Sequence, residues 1–308
     1  MDLGEGVRPH WSTLLPHVVA EVERRLGGPI TAVHEVRGGF SPAVAARVAS
    51  GTRTAFVKAC GPTENRFSIG MYRAEARIAA VLPDIPPLAP LRWSYDDGDW
   101  VVLGFDDLGG APPPLPWTDA DLDATLAAVH AVHAALTPAP VAAPPAAGAH
   151  ERMFRGWRRL TGDETGLDDW SRRHLAALQE VEAVWPASLA GDTLLHGDLR
   201  ADNVVLVPGR GPVLVDWPAA NVGPPWFDLV ILAPSVQAQG GPACADLLER
   251  AGLDAPADAL AFAVVGIAGY LTANALRPAP PGMPTLRAFQ AQQGHPARAW
   301  AARLLGLD

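Results

Sequence analysis

The sequence predicts an α+β fold in two unequal lobes, a small β-rich lobe over 1–105 and a larger, mainly helical lobe over 106–308. Two observations carry that reading. The first hundred residues hold five short runs of strand character, punctuated by glycines and an Asp-Gly turn, with one helical stretch among them. Beyond Pro225 the apolar residues recur at helical spacing to the end, broken at PAPPGMP around Pro278.

Element by element, Thr13 to Leu26 reads as an amphipathic helix with Glu21, Glu23 and Arg24 on its polar face. Strands follow at Ile30 to Val36, Ala43 to Ala49 and Thr54 to Ala59, separated by Gly38-Gly39 and Gly51. Ser68 can cap a helix running to about Leu82, where prolines break the chain. Leu91 to Tyr95 and Trp100 to Gly104 flank Asp96-Asp97-Gly98, a hairpin signal. The small lobe is therefore β-β-β-α-β-β. In the large lobe Thr118 caps a helix from about Asp119 to Leu136, and the Pro/Ala-rich stretch Thr137 to Ala149 reads as an irregular surface loop. Helices are expected at about His150 to Leu160 and Asp168 to Val184. The longest apolar run, Ala259 to Leu271, is too short to span a bilayer and reads as a buried helix.

Composition narrows the function classes. With 308 residues, 49% of them hydrophobic, the chain can build a substantial core. A net charge of −9 argues against binding nucleic acid through phosphate neutralisation. The chain to Gly110 has 11 basic and 13 acidic residues, and the remainder has 13 and 20, so the net values are −2 and −7. An acidic second half can attract a cationic substrate or simply keep the surface solvated. Cys60 and Cys244 are too few and too far apart for a disulfide framework or a zinc site, which points to a reduced, cytoplasmic setting. The opening MDLGEGVRPHWS lacks the basic and apolar regions of a signal peptide, and no membrane association is expected.

Chemistry enters between His196 and Trp217, in HGDLRADN, VVLV, PGRGP and VLVDW. Asp198 is followed five residues later by Asn203, then by a predicted hairpin that ends on Asp216. That order is the phosphoryl-transfer set of kinases: a carboxylate for the acceptor hydroxyl, then an amide and a second carboxylate for Mg²⁺. Hard oxygen ligands suit Mg²⁺, which shares its coordination sphere with substrate phosphates and water.

HGDLRADN with VLVDW and then GPPWFDLV resembles the aminoglycoside phosphotransferase family, small-molecule kinases with a protein-kinase-like fold. Asp216 is followed by Trp217-Pro218 and no APE-like segment comes after it, which disfavours a protein kinase. Asp228 matches the structural Asp of that family, whereas the usual acidic residue before the segment's Pro is absent from Gly223-Pro224-Pro225.

Lys58 is the single lysine of the chain and closes the third strand, where kinases place the lysine that contacts the α/β-phosphates. The alternative is an edge-strand surface lysine. On the next helix Tyr72, Glu75, Ala79 and Leu82 share one face, so Glu75 is a carboxylate on an apolar stripe and Lys58 is its natural partner. Arg37 and Gly38, Gly39, Phe40 and Ser41 lie between the first two strands, where a phosphate-covering loop belongs. The resemblance implies an adenine-holding hinge over Leu103 to Asp107, with Phe105 and Asp106 at its centre. Arg200 either stabilises charge on the transferred phosphoryl group or pairs with Asp202 or Asp228. His196 reads as a structural loop residue, and His130 and His133 as packing or capping residues rather than metal ligands. Among the ten tryptophans, Trp157, Trp170 and Trp226 are candidates to line an acceptor site.

The expected activity is an ATP- or GTP-dependent, Mg²⁺-requiring transfer of phosphate to a hydroxyl of a small molecule, a cationic one being compatible with the acidic large lobe. An aminoglycoside or basic peptide antibiotic fits the acidic large lobe. A metabolic kinase for choline, homoserine, a sugar or a nucleoside is the alternative within that class, and a regulatory pseudokinase the alternative outside it. Monomer and homodimer are both compatible with the sequence.

Overall fold

The computed structural model describes residues 6–36, 38–41, 43–62, 66–184 and 189–307. Helix α1 (Pro16–Leu26) follows a 3-10 turn at Trp11–Thr13. It begins at Pro16 rather than Thr13 because proline's fixed φ suits the first helical position. The small lobe continues with β1 (Ala32–Glu35), β2 (Val44–Ser50), β3 (Arg53–Cys60), α2 (Arg66–Ala79), β4 (Leu91–Asp96) and β5 (Val101–Phe105). Its five strands form one antiparallel sheet in the order β1-β2-β3-β5-β4.

Strand alternation decides what each face of β3 can do. Ala55, Val57 and Ala59 pack with Val18 and Val22 of α1 in one apolar cluster. Cys60 joins Ile69 and Tyr72 of α2 in another, with Phe56 packed against it. Lys58 lies in that second register and is thereby aimed at α2. Ser68 does not cap this helix. The helix begins by Arg66, which leaves Ser68 buried in its first turn, and it ends at Ala79, short of Leu82.

In the large lobe, Thr118 Oγ1 accepts from Asp121 N–H at 3.1 Å and starts α3 (Asp119–Ala135). The Pro/Ala-rich stretch is more ordered than its composition suggests. Ala139 N–H donates to Asp192 O at 2.7 Å, and α4 (Ala146–Ala149) forms within it. Between His150 and Leu160 the chain makes two 3-10 turns, Met153–Arg155 and Trp157–Arg159, in place of the expected helix. Gly156 separates them and lies against the Gly269 backbone, where a Cβ would approach to 2.1 Å. Asp168 caps α5 (Asp169–Ala183).

The centre of the chain forms β6 (Thr193–Leu195), β7 (Val204–Val207), β8 (Gly211–Leu214) and β9 (Asn221–Gly223), paired β6-β9 and β7-β8. Helices α6 (Trp226–Ala238), α7 (Cys244–Ala251), α8 (Ala257–Ala275) and α9 (Leu286–Leu305) complete the lobe. At 19 residues α8 is long and apolar enough to cross a membrane by length and composition, but 67% of its apolar window is buried inside the protein. It is the central core helix of the lobe, and Phe154 packs so closely that a Cβ at Gly266 would overlap its ring.

Candidate active site

The site begins with an ammonium between two carboxylates. Lys58 Nζ donates to Glu75 Oε1 at 2.6 Å and to Asp216 Oδ1 at 2.8 Å. Glu75 is buried among the apolar residues of α2, so its charge is held without water. Burial works against Lys58's charge, yet Asp216 and Glu75 raise its pKa above the ordinary lysine value. Burial likewise opposes Asp216, whose carboxyl Lys58 nevertheless holds below the usual range. For the enclosed Glu75, desolvation prevails and its pKa is raised. Asp216 follows β8 with φ of 71°, and among the described residues no other non-glycine has positive φ. Such backbone strain persists where surrounding contacts over-determine it, and it collects at functional sites.

The loop from His196 to Asn203 is fixed from beneath by Asp228 of α6. Its Oδ2 accepts His196 N–H at 2.8 Å, and its Oδ1 accepts Gly197 N–H at 2.9 Å. His133 Nε2 lies 3.0 Å from Oδ2. Burial opposes this carboxylate's charge, but His133 and the Gly197 N–H keep its pKa low. Asp198 N–H donates to His196 Nδ1 (3.3 Å), so His196 Nε2 carries the proton donated to Val215 O (2.9 Å). His196 thus ties the loop to the strand segment that ends on Asp216. Asn203 Nδ2 donates to Asp198 O at 2.7 Å, which leaves its amide oxygen as the atom for the cleft. Arg200 bridges Asp198 and Asp202, and its bond to Asp202 is 2.9 Å. It makes no pair with Asp228. Desolvation raises the Asp198 pKa, Arg200 opposes that, and Asp202 raises it further.

Part of this set borders a cleft of about 250 Å³ between the lobes, whereas Asp198 and Arg200 are not among the residues that line it. Lys58, Glu75, Asp202, Asn203 and Asp216 line it, as do Gly38, Gly39 and Ser41 from the loop between β1 and β2. Both glycines have positive φ (96° and 68°), a turn other residues adopt with strain. Arg8 ties the loop down: Nε and Nη2 donate to Gly38 O (3.0 and 2.8 Å), and Nη1 donates to Ala43 O (3.2 Å). The Ser41 hydroxyl meets Tyr72 Oη at 2.8 Å. At the far end, Phe105 and Asp106 line the cleft beside Leu108 and Val205. Asp106 pairs with Arg92 at 2.5 Å and Asp107 with Arg47 at 3.2 Å, so the crossing segment is fixed from the small lobe.

Residues 32–262, more than half of the chain, match the model of the phosphotransferase enzyme family. The chain belongs to that family. No curated protein matches its sequence. Among solved structures the phosphotransferase resembles a choline/ethanolamine kinase family protein from Mesorhizobium loti, at 16% identity and a TM-score of 0.61, over 94% of this chain and 98% of that one. It also resembles an aminoglycoside-3'-phosphotransferase of type VIII, at 21% identity and a TM-score of 0.53, over 82% and 99% of the two chains. A third likeness is to the choline kinase LicA from Streptococcus pneumoniae in complex with AMP, at 12% identity and a TM-score of 0.57, over 95% and 99%. The fold is the protein-kinase-like one. The family is one of phosphotransferase enzymes.

Several expected residues lie elsewhere in this phosphotransferase. Phe40 does not border the cleft; its ring packs on Phe289 of α9, with centroids 5.2 Å apart. Arg37 lies outside the described residues. The three tryptophans suggested for the acceptor site are structural. Trp157 and Trp226 are buried, and Trp170 Nε1 donates to Leu307 O at 2.8 Å. Arg8 carries no sequence signal, because its partners are backbone carbonyls some thirty residues away. Buried Glu182, equally silent in sequence, accepts from the N–H groups of Trp157 (3.1 Å) and Arg158 (2.9 Å).

Proposed function

We propose that this phosphotransferase uses ATP, or GTP in its place, with Mg²⁺, to phosphorylate a hydroxyl of a small molecule at Asp198. The observation that carries the reading is convergence: β3, α2, the loop at Asp198–Asn203 and the segment after β8 bring Lys58, Glu75, Asn203 and Asp216 to one cleft. The nucleotide base would lie against Phe105 and Leu108, with its phosphates toward Lys58 and the Gly38–Ser41 loop. In this reading residues 1–105 form the nucleotide-side lobe and 106–308 carry the catalytic loop and the acceptor site.

The donor set fits Mg²⁺. Asp216 offers a partly exposed carboxylate and Asn203 an amide oxygen, both hard ligands beside an opening for phosphates. When bound, the ion would neutralise charge on the phosphates. The chain's own contribution is positional. Lys58, held by Glu75, orients the α/β-phosphates. Asp198 accepts the acceptor hydroxyl's proton, and the raised pKa suits a group that must take one. Arg200 sits where it can meet charge developing on the transferred group. Positioning and preorganised charge supply most of the acceleration in such a site.

An antibiotic acceptor is one branch of this reading and a metabolite the other. ADP release across aminoglycosides, basic peptide antibiotics, macrolides, nucleosides, sugars, choline and homoserine separates them, with Asp198→Ala as control. An acceptor that stimulates ADP release in the wild type and not in Asp198→Ala supports the proposal. Absence of stimulation by any acceptor, with no nucleotide-induced rise in Tm, overturns it.

A further inference from the structure

Among the described residues three cations line the cleft: Arg8, Arg47 and Lys58. Their charges are not equally committed. Lys58 is shared between Glu75 (2.6 Å) and Asp216 (2.8 Å), and Arg47 faces Asp107 at 3.2 Å. The other carboxylates of the cleft are answered too, Asp106 by Arg92 and Asp202 by Arg200. Arg8 differs. Its guanidinium reaches neutral acceptors, the carbonyls of Gly38 and Ala43, and among the described residues no carboxylate pairs with it.

Backbone contacts hold this arginine in place. Gly6 N–H donates to Gly39 O at 2.9 Å, and Val7 N–H donates to Gly282 O at 2.7 Å, in the connection between α8 and α9. The chain ahead of α1 thus joins the large lobe to the loop between β1 and β2 and delivers Arg8 there. The guanidinium lies against Gly39, where a Cβ would come within 3.1 Å of Nη2. Its bonds use one N–H on each guanidinium nitrogen, so both terminal nitrogens keep a second N–H for a ligand.

A nucleotide's phosphates bring several negative charges to a cleft whose lysine already serves two carboxylates. Mg²⁺ and backbone N–H groups would meet part of that charge. A guanidinium fork that faces no carboxylate can meet more of it, in a geometry matched to phosphate oxygens. We propose that Arg8 is a nucleotide-binding residue whose guanidinium holds the phosphate chain beside the loop that it anchors. The inference rests on the phosphotransferase reading above and adds a residue to its nucleotide site.

The test separates charge from anchoring. Arg8→Gln keeps an N–H donor for the loop carbonyls and removes the charge; Arg8→Lys keeps the charge and removes the fork. Each variant and the wild type are titrated calorimetrically with a non-hydrolysable ATP analogue, ADP, AMP and adenosine, with Mg²⁺, at low and high salt. Arg8→Gln should weaken binding of the ATP analogue about 10- to 100-fold at low salt, the range for a hydrogen bond to a charged group. High salt should shrink that loss, because Arg8 is only half-buried and salt screens charges that solvent reaches. Arg8→Lys should recover part of the affinity, and adenosine should bind all three proteins within about twofold. The shortest phosphate chain that feels the substitution identifies the phosphate held. A loss under about twofold, an equal loss at both salt concentrations, or an equal loss for adenosine overturns the proposal and leaves Arg8 a loop anchor.

A second measurement needs no charge-removing variant. In wild-type protein with isotope-labelled arginine, the Nε–H resonance that is missing from Arg8→Lys belongs to Arg8. It should move when the ATP analogue is added and stay in place with adenosine. A resonance that ignores the analogue, or moves equally with both, overturns the assignment. Failure of the phosphotransferase reading would look different: the wild type would bind no ATP analogue and release no ADP with any acceptor.

Discussion

Replacing Glu75 by Gln keeps the shape of the side chain and removes the charge that holds Lys58 from behind. The pair is short, 2.6 Å, and Glu75 is 2% exposed, so solvent cannot substitute for the carboxylate. Breaking a buried ion pair from one side costs about 3–5 kcal/mol. Lys58 retains Asp216 at 2.8 Å, and the amide oxygen still accepts a hydrogen bond. The expected cost is therefore lower, about 2–3 kcal/mol. The functional consequence follows from charge balance. One ammonium now shares two carboxylates; with Gln it closes on Asp216, the residue proposed to hold the metal. Nucleotide and metal would then have to break that pair, and kcat/KM for ATP should fall about 30- to 160-fold, at 1.36 kcal/mol per tenfold. Initial rates of ADP release against ATP concentration, with Tm measured alongside, check both effects. A kcat/KM within about twofold of wild type would refute the claim that Glu75 positions Lys58.

Two further outcomes concern the scaffold. Asp228→Asn leaves at least one of the His196 and Gly197 N–H groups facing an amide N–H, so urea denaturation should show a loss of about 2–4 kcal/mol with a fall in kcat; a loss under about 0.5 kcal/mol would contradict that role. His150 is buried against Asn221, and desolvation lowers its pKa from 6.5 to about 4. Between those values the unfolded chain binds the extra proton, so stability is fully present above pH 6.5 and declines as pH falls toward 4. His150→Gln should flatten that part of the Tm–pH profile by up to about 3 kcal/mol, and an unchanged profile would rule His150 out as its cause.

Much of this site is legible in the chain because its parts obey local rules. Asp198 and Asn203 share one loop, a hairpin returns Asp216, and the 3-4 spacing on α2 turns Glu75 inward, where it meets Lys58. The direct Lys58–Asp216 contact spans 158 residues and depends on how the lobes pack, which no periodicity encodes. Arg8 escapes notice because an arginine that bonds backbone carbonyls needs no particular partner residue. Ser68 misleads because a cap-forming residue is equally tolerated in a first turn. The tryptophans mislead because aromatic bulk serves a core as readily as a ligand, and Gly156 and Gly269 create the tight helical contact that encloses Trp157.

The central claim is that one cleft transfers phosphate to a small-molecule hydroxyl through Asp198. Its most direct test follows a labelled γ-phosphate from ATP into an acceptor, comparing wild type with Asp198→Ala and Asp198→Asn at saturating Mg²⁺. The account predicts acceptor labelling by the wild type, a loss of about 10²–10⁴-fold in both variants, and nucleotide-induced stabilisation retained in both. Labelling at wild-type rates in either variant, or labelling of the protein and of no acceptor, would contradict it.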